Sequence, residues 1–336
     1  LIASLLCLVF AQRAFAEDWM LQVEHRQRPI VGRPLQWDNQ SFLMLARDGQ
    51  IMELDLGLAR QGKTLRQPFH SYSAGEMRAQ LMREFGSAFE VQGTGHYLVV
   101  HPAGQPEWPA RFEALYREFT HYFGARGISV SRPPFPLVAV VFPTHESFLR
   151  YAAAQGGPSS GSVLGYYSAQ TNRILLYDVT GGGRRGGDWR RNAETIVHEA
   201  AHQTAFNVGI HSRYALPPRW IAEGLGTLFE APGVYNSSSH PQLADRVNAE
   251  QLANFRRYFR DGIPDGTLAA LVASDDAFKR SVHASYALSW AFTFMVAEQS
   301  PGKLADYLQA TAHKRPFSEA TAVDRIRDFQ AVFGSD

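Results

Sequence analysis

Over residues 19–65 apolar and polar positions alternate in the manner of β-strands. Residues 42–46 and 51–56 flank Arg47-Asp48-Gly49-Gln50. Asp-Gly between two apolar runs predicts a hairpin, because glycine takes up the positive φ of a tight turn. Residues 17–72 are therefore expected to form a small all-β module, with 57–72 as its connector to the rest. The period then changes. Ser73-Ala74-Gly75-Glu76 has the form of a capping box, and Met77, Leu81 and Phe85 share one helical face behind it. Residues 89–91 and 97–100 read as strands. Phe112, Leu115, Tyr116, Phe119, Tyr122 and Phe123 mark a long amphipathic helix with its aromatic side in the core. A buried strand is predicted over 137–142, and Thr144 caps the helix after it.

Two further strands are predicted over 163–167 and 172–178. The apolar periodicity of 248–259, 268–273, 284–298 and 304–312 predicts helices, with breaks near Pro264 and Pro301. From residue 73 to 336 the order of elements is thus α+β: a mixed sheet, then helices, then a helical C-terminal lobe. Residues 180–187 are rich in glycine but lack the Gly-Lys-Ser/Thr ending of a phosphate loop, so they read as a loop and not as a nucleotide site.

Chemistry concentrates in two short stretches. Residues 198–202 are His-Glu-Ala-Ala-His, inside a run with Thr195-Ile196-Val197 before it and Ala205-Phe206 after it. On a helix, positions four apart project from one face, so His198 and His202 can aim both imidazoles at one metal ion. Glu199 lies about 100° around the axis from His198. There it flanks the metal without having to ligate it, which is the place for a base acting on water. A catalytic zinc commonly takes three protein ligands and leaves a fourth position open. Glu223, in Trp220-Ile221-Ala222-Glu223-Gly224, is the candidate third ligand; His211 and Glu230 are its rivals. A pattern with glycine at 205 and histidine at 208 is excluded, since the chain has Ala205 and Val208.

Composition changes this picture little. A 45% hydrophobic and 19% charged chain is ordinary for a globular protein, and a net charge of +1 offers no attraction for nucleic acid. Residues 1–10 are apolar and Ala14-Phe15-Ala16 is an A-x-A cleavage pattern, so residues 1–16 are expected to be a signal peptide and the protein to be exported, periplasmic or extracellular. Ten apolar residues are too few to span a bilayer, and no later run is long enough for a transmembrane anchor. The one cysteine, Cys7, lies within that segment, so a chain cleaved there has no disulfide.

The two stretches, with Leu164-Gly165-Tyr166-Tyr167 and the segment from Asn172-Arg173-Ile174 to Asp178, resemble a family of secreted bacterial peptidase-MA-like proteins catalogued as a domain of unknown function. More broadly, the arrangement resembles the gluzincin metallopeptidases, whose third ligand is a glutamate on the next helix. The resemblance implies a small N-terminal β module followed by a gluzincin-like metallopeptidase domain. It implies one Zn2+ on His198, His202 and Glu223, with a metal-activated water and Glu199 as general base. It also implies a tyrosine or histidine on a later helix as donor to the developing oxyanion: Tyr286, or failing that His283. Thermolysin-like relatives carry an acidic residue four after the third ligand; Thr227 stands there, so Asn207 or Glu230 is expected to orient a histidine instead. By fold analogy, residues 172–178 are expected to be the sheet edge to which a polypeptide or peptidoglycan-peptide substrate adds as a strand. The function expected is that of an exported zinc-dependent peptidase. A non-catalytic zinc-binding or structural module and a cell-wall zinc amidase remain open alternatives.

Overall fold

The computed structural model describes residues 19–179 and 189–334; the expected signal peptide and the glycine-rich loop lie outside the described residues. The chain opens with a five-stranded antiparallel sheet made of β1 (Met20–His25), β2 (Arg28–Trp37), β3 (Ser41–Ala46), β4 (Ile51–Asp55) and β5 (Ala59–Leu65), in the order β4-β3-β2-β1-β5. The predicted hairpin joins β3 to β4, and Gly49 supplies the positive φ of 88° at its turn. β5 corrects the expectation of a connector over 57–72. Its sequence, Ala-Arg-Gln-Gly-Lys-Thr-Leu, is almost wholly polar and exposed, so no apolar alternation announced it. Pairing with β1 is what makes it a strand.

The second sheet contains β6 (Phe89–Gly93), β7 (Tyr97–Pro102), β8 (Leu137–Phe142), β9 (Gly165–Ser168) and β10 (Arg173–Tyr177), in the order β6-β7-β8-β10-β9. It is mixed: β7, β8 and β10 are parallel, whereas β6 and β9 are antiparallel edges. Every residue of β8 is buried, as expected of a central strand covered on both faces. Side chains alternate between the two covers. Leu98, Val100, Val138, Val140 and Leu175 pack toward α1 (Ala74–Phe85) and α3 (His145–Ala154). Leu137, Ala139, Val141, Ile174 and Leu176 share the larger core with α2 (Trp108–Gly124) and α4 (Trp189–Asn207). The capping box at Ser73 is present, with Glu76 as its reciprocal partner.

The remainder is helical: α5 (Arg219–Phe229), the short α6 (Pro232–Tyr235), α7 (Ala249–Tyr258), α8 (Thr267–Ala273), α9 (Asp276–Arg280), α10 (Val282–Gln299), α11 (Pro301–Ala312) and α12 (Ala322–Phe333). α12 was not among the expected helices, although Ile326, Phe329 and Phe333 recur at helical spacing and pack on the core; it starts at a Thr321–Asp324 capping box. α10 is apolar on nearly all sides and packs along α5 and α7, placing Tyr286 beside α5. The molecule is thus α+β, a β sheet followed by a mixed sheet, helices and a helical C-terminal region. No helix among the described residues is long and apolar enough to cross a membrane.

Candidate metal centre

α4 is fixed to the sheet before it can present anything. Ile196, Val197, Ala200, Ala201 and Ala205 are buried along one side of it. Gln203 donates to the backbone carbonyls of Val138 and Asn172 at 3.0 and 2.8 Å. Asn207 and Asn172 exchange reciprocal amide hydrogen bonds at 2.7 and 2.9 Å. Asn172 holds a left-handed φ of 59° in the β9–β10 turn, a conformation asparagine tolerates better than most residues. Asn207 is therefore part of the bolt between helix and sheet and does not orient an imidazole.

The opposite side of α4 carries His198 and His202, and α5 brings Glu223 across to them. One ligand atom from each of the three residues falls within 4.8 Å of the others, a group that could hold a metal ion. The two Nε2 atoms are 2.9 Å apart, and they lie 3.3 and 3.6 Å from Glu223 Oε2. Zinc bonds of about 2.0–2.1 Å in tetrahedral array separate ligand atoms by about 3.3 Å, so the triangle has the size such an ion requires. Glu223 Oε2 is also buried with no hydrogen-bond partner among the described residues. The two imidazoles face it at ion-pair distance, and a cation between them and this oxygen would bind all three.

The charges around the triangle agree with this. Burial acts to lower the pKa of His198, but Glu223 and Glu230 outweigh it and raise it well above the usual histidine value. Burial acts to raise Glu223, yet His198 and His202 hold it well below the carboxylate range. The two carboxylates thus favour positive charge on His198, Glu230 from the Nδ1 side and Glu223 from the Nε2 side where a metal ion would supply it.

Of the rivals for third ligand, neither joins the triangle. His211 packs its ring against Phe206, with centroids 5.2 Å apart. Glu230 instead accepts from His198 Nδ1 at 2.8 Å, and Asn248 donates to its other oxygen at 2.7 Å. That chain fixes the ring and turns the Nε2 lone pair inward, as the outer partner of a metal-binding histidine does. Glu230 stands seven residues after Glu223, two turns along the same helical direction, while Thr227 spends its hydroxyl on the Glu223 carbonyl.

Glu199 sits off the triangle. Its Oε2 accepts from the Tyr167 amide of β9 at 2.6 Å, and no backbone-borne contact of this kind is legible in a sequence. This hydrogen bond also locates the true sheet edge. Residues 172–178, expected at the edge, form β10, which lies between β8 and β9; its Ile174-Leu175-Leu176 run is fully buried because it is an interior strand. β9 is the edge beside α4.

Tyr286 is at the site, with its ring centroid 6.4 Å from that of His198 and its hydroxyl facing Glu223 and Arg219. Burial, reinforced by Glu223, raises its pKa, so it keeps its proton. His283 is exposed on the first turn of α10. Arg219, one turn before Glu223, donates to Glu223 Oε1 at 3.2 Å and lies over the Phe278 ring. It escaped the sequence reading, although a basic residue four before a glutamate on a helix is a readable pair. Gly226 is a second omission: a Cβ there would fall 2.6 Å from His198 Cε1.

A family profile described as "Protein of unknown function (DUF1570)" matches residues 192–318. That stretch holds α4 from its first turn, α5 and most of the helical lobe. Among solved structures the chain is similar to a mutant M1 zinc metallopeptidase from Deinococcus radiodurans, at 12% identity and a TM-score of 0.38. The similarity covers 73% of this chain and 48% of that one, so the chain spans about half the length of that protein. No curated protein matches.

Proposed function

We propose that the chain is an exported, zinc-dependent peptidase in which His198, His202 and Glu223 hold the ion and Glu199 is the general acid and base. The observation that carries this reading is the convergence of ligand atoms from three half-buried residues on one point, with Glu199 offset from it on the same helix. Residues 1–16 serve as the export signal in this reading, and residues 17–72 as an accessory module ahead of a catalytic domain over 73–336.

A zinc ion bound there supplies a Lewis acid and acidifies water to a pKa of about 7. The protein supplies the rest. Glu199 takes a proton from the attacking water and delivers it to the leaving amine nitrogen; the Tyr167 amide holds one of its oxygens and leaves the other free for that transfer. Tyr286, kept protonated, donates to the negative charge growing on the carbonyl oxygen. Arg219 fixes the Glu223 carboxylate and keeps its own positive charge through that pairing. β9, the outer strand of the mixed sheet beside Glu199, is where an extended peptide can add as a strand through the groups that the Tyr167–Glu199 hydrogen bond leaves over.

The test is metal analysis of the purified protein followed by digestion of an unbiased peptide library. About one zinc per chain, and cleavage abolished by a chelator and restored by zinc, are the expected results. Glu199→Gln should fold, keep its zinc and lose about a hundredfold or more in turnover. Cleavage by Glu199→Gln at the wild-type rate would overturn the mechanism, and a chain that takes up no metal would overturn the site.

A further inference from the structure

α4 continues past the metal centre. His198, His202 and Phe206 follow one another at intervals of four on a single face, which places Phe206 about 6 Å along the axis from His202. One side of the Phe206 ring stacks on Tyr167, whose amide holds Glu199, with centroids 5.6 Å apart. Toward His211 the same ring helps to enclose a cavity of about 220 Å³, with Phe135 and Tyr214 as its other aromatic walls. The cavity therefore shares Phe206 with the contact to Tyr167, and Arg213 on its wall reaches the turn that follows β9.

Its polar lining comprises Asn207, Ser212, His211, Arg213 and His313, with no carboxylate among them. His211 is 2% exposed, and neither ring nitrogen makes a well-formed hydrogen bond among the described residues, the Ile210 backbone offering only a weak one. Burial, with His202 adding to it, pushes this imidazole down to about 3, so it is neutral and carries one N–H donor. Arg213 is also buried. Its Nε donates to the Ala169 carbonyl at 2.7 Å, and its Nη2 to the carbonyls of Gly49 and Gln170 at 2.7 and 3.2 Å. It makes no ion pair among the described residues, and its Nη1 is left over. His313 is exposed at the mouth. No acidic side chain lines the cavity. A buried cation without a counter-ion, beside a buried imidazole without a well-formed hydrogen bond, is a costly arrangement unless an anion completes it.

We infer that this cavity is a specificity pocket for an acidic substrate side chain, whose carboxylate accepts a hydrogen bond from His211 and balances the charge of Arg213. The aliphatic stem of a glutamate would lie between the rings of Phe206, Phe135 and Tyr214, and its backbone would run along β9 toward Glu199. The inference rests on the peptidase reading for what the pocket serves, but not for what it binds.

Binding separates the two. N-acetylglutamate α-amide and its neutral isostere N-acetylglutamine α-amide are titrated into the full chain by calorimetry at low salt. The glutamate compound should bind about tenfold or more tightly, since only it brings the charge the pocket lacks. His211→Phe keeps an aromatic ring in place but removes the donor, and should reduce the preference several-fold while Arg213 keeps part of it and zinc content stays unchanged. In a peptide-library digest, the wild type should favour sites with aspartate or glutamate at one fixed position. Equal affinity for the two compounds, no binding of either at about 10 mM, or the same preference in His211→Phe would overturn the pocket. Cleavage without acidic enrichment would overturn the pocket and leave the peptidase standing. A glutamate preference in binding with no cleavage of any peptide would do the reverse.

Discussion

Around the three ligand atoms, single residues decide whether a metal is held and how well. The His198–Glu230–Asn248 chain predicts a graded effect, because Glu230 orients a ligand and Asn248 orients Glu230. Glu230→Ala frees the His198 ring to rotate and should weaken zinc binding about 10–100-fold, measured by competition with a chromogenic chelator. Asn248→Ala, one step further out, should have the same sign and a smaller size. Equal zinc affinity in wild type and Glu230→Ala would mean that the hydrogen bond does not orient the ring. The four-residue spacing of His198 and His202 and the offset of Glu199 were legible, since a helix turns any sequence interval into an angle. The partners Glu230, Asn248 and Arg219 come from three other places in the fold. Glu230 was expected, with Asn207, as a residue that orients a histidine once Thr227 stood in the usual acidic place, and it does so; Asn248, the N-cap of α7, reaches it only through the fold.

Elements carry the site by approaching closely, and glycines permit the approach. At Gly224 a Cβ would meet Thr293 and the Ser289 carbonyl, the latter at 2.8 Å, so α5 and α10 touch almost backbone to backbone there. At Gly226 a Cβ would meet the His198 ring instead. Two glycines a half-turn apart thus serve two different contacts. Gly224→Ala should force α10 away and cost about 1–3 kcal/mol in urea unfolding, with zinc content retained at low temperature. Gly226→Ala should cost less stability and release the metal, because the ring it displaces is a ligand. The reverse pattern would show that the contacts are assigned to the wrong partners. Elements with strong apolar patterns, such as α2, β8 and α10, were readable for the same reason that they are buried. β5 was not, since its strand character comes from hydrogen bonds to β1 and not from its own polar side chains. The apolar run of β10 was readable as a strand, but an interior strand and an edge differ only in what lies beside them, and β9 is what lies beside it.

Across the whole molecule, the N-terminal sheet is joined to the mixed sheet through a few specific groups. Arg213, in the loop between α4 and α5, reaches Gly49 in the β3–β4 turn and Ala169 and Gln170 in the β9–β10 turn. Ile51 donates to the Gln170 carbonyl at 2.8 Å, and Leu35, Leu45 and Phe135 form a small core with Tyr214 and Phe317 packed against it. One guanidinium therefore ties the hairpin of the first sheet, the edge turn of the second and the approach to the metal-bearing helix α5. Hydrogen bonds from a charged donor are worth about 1.5–3 kcal/mol, and without it the Gly49 and Ala169 carbonyls would be left short of a partner, whereas Gln170 keeps the Ile51 amide. Arg213→Met fills similar space and should lower stability by about 2–4 kcal/mol. The loss should appear first in the β3–β4 hairpin, as faster amide hydrogen exchange at residues 42–54, while α4 and the core of the mixed sheet stay protected. Uniform loss of protection over both sheets would instead show that they unfold as one unit, with Arg213 supporting the whole and not the joint.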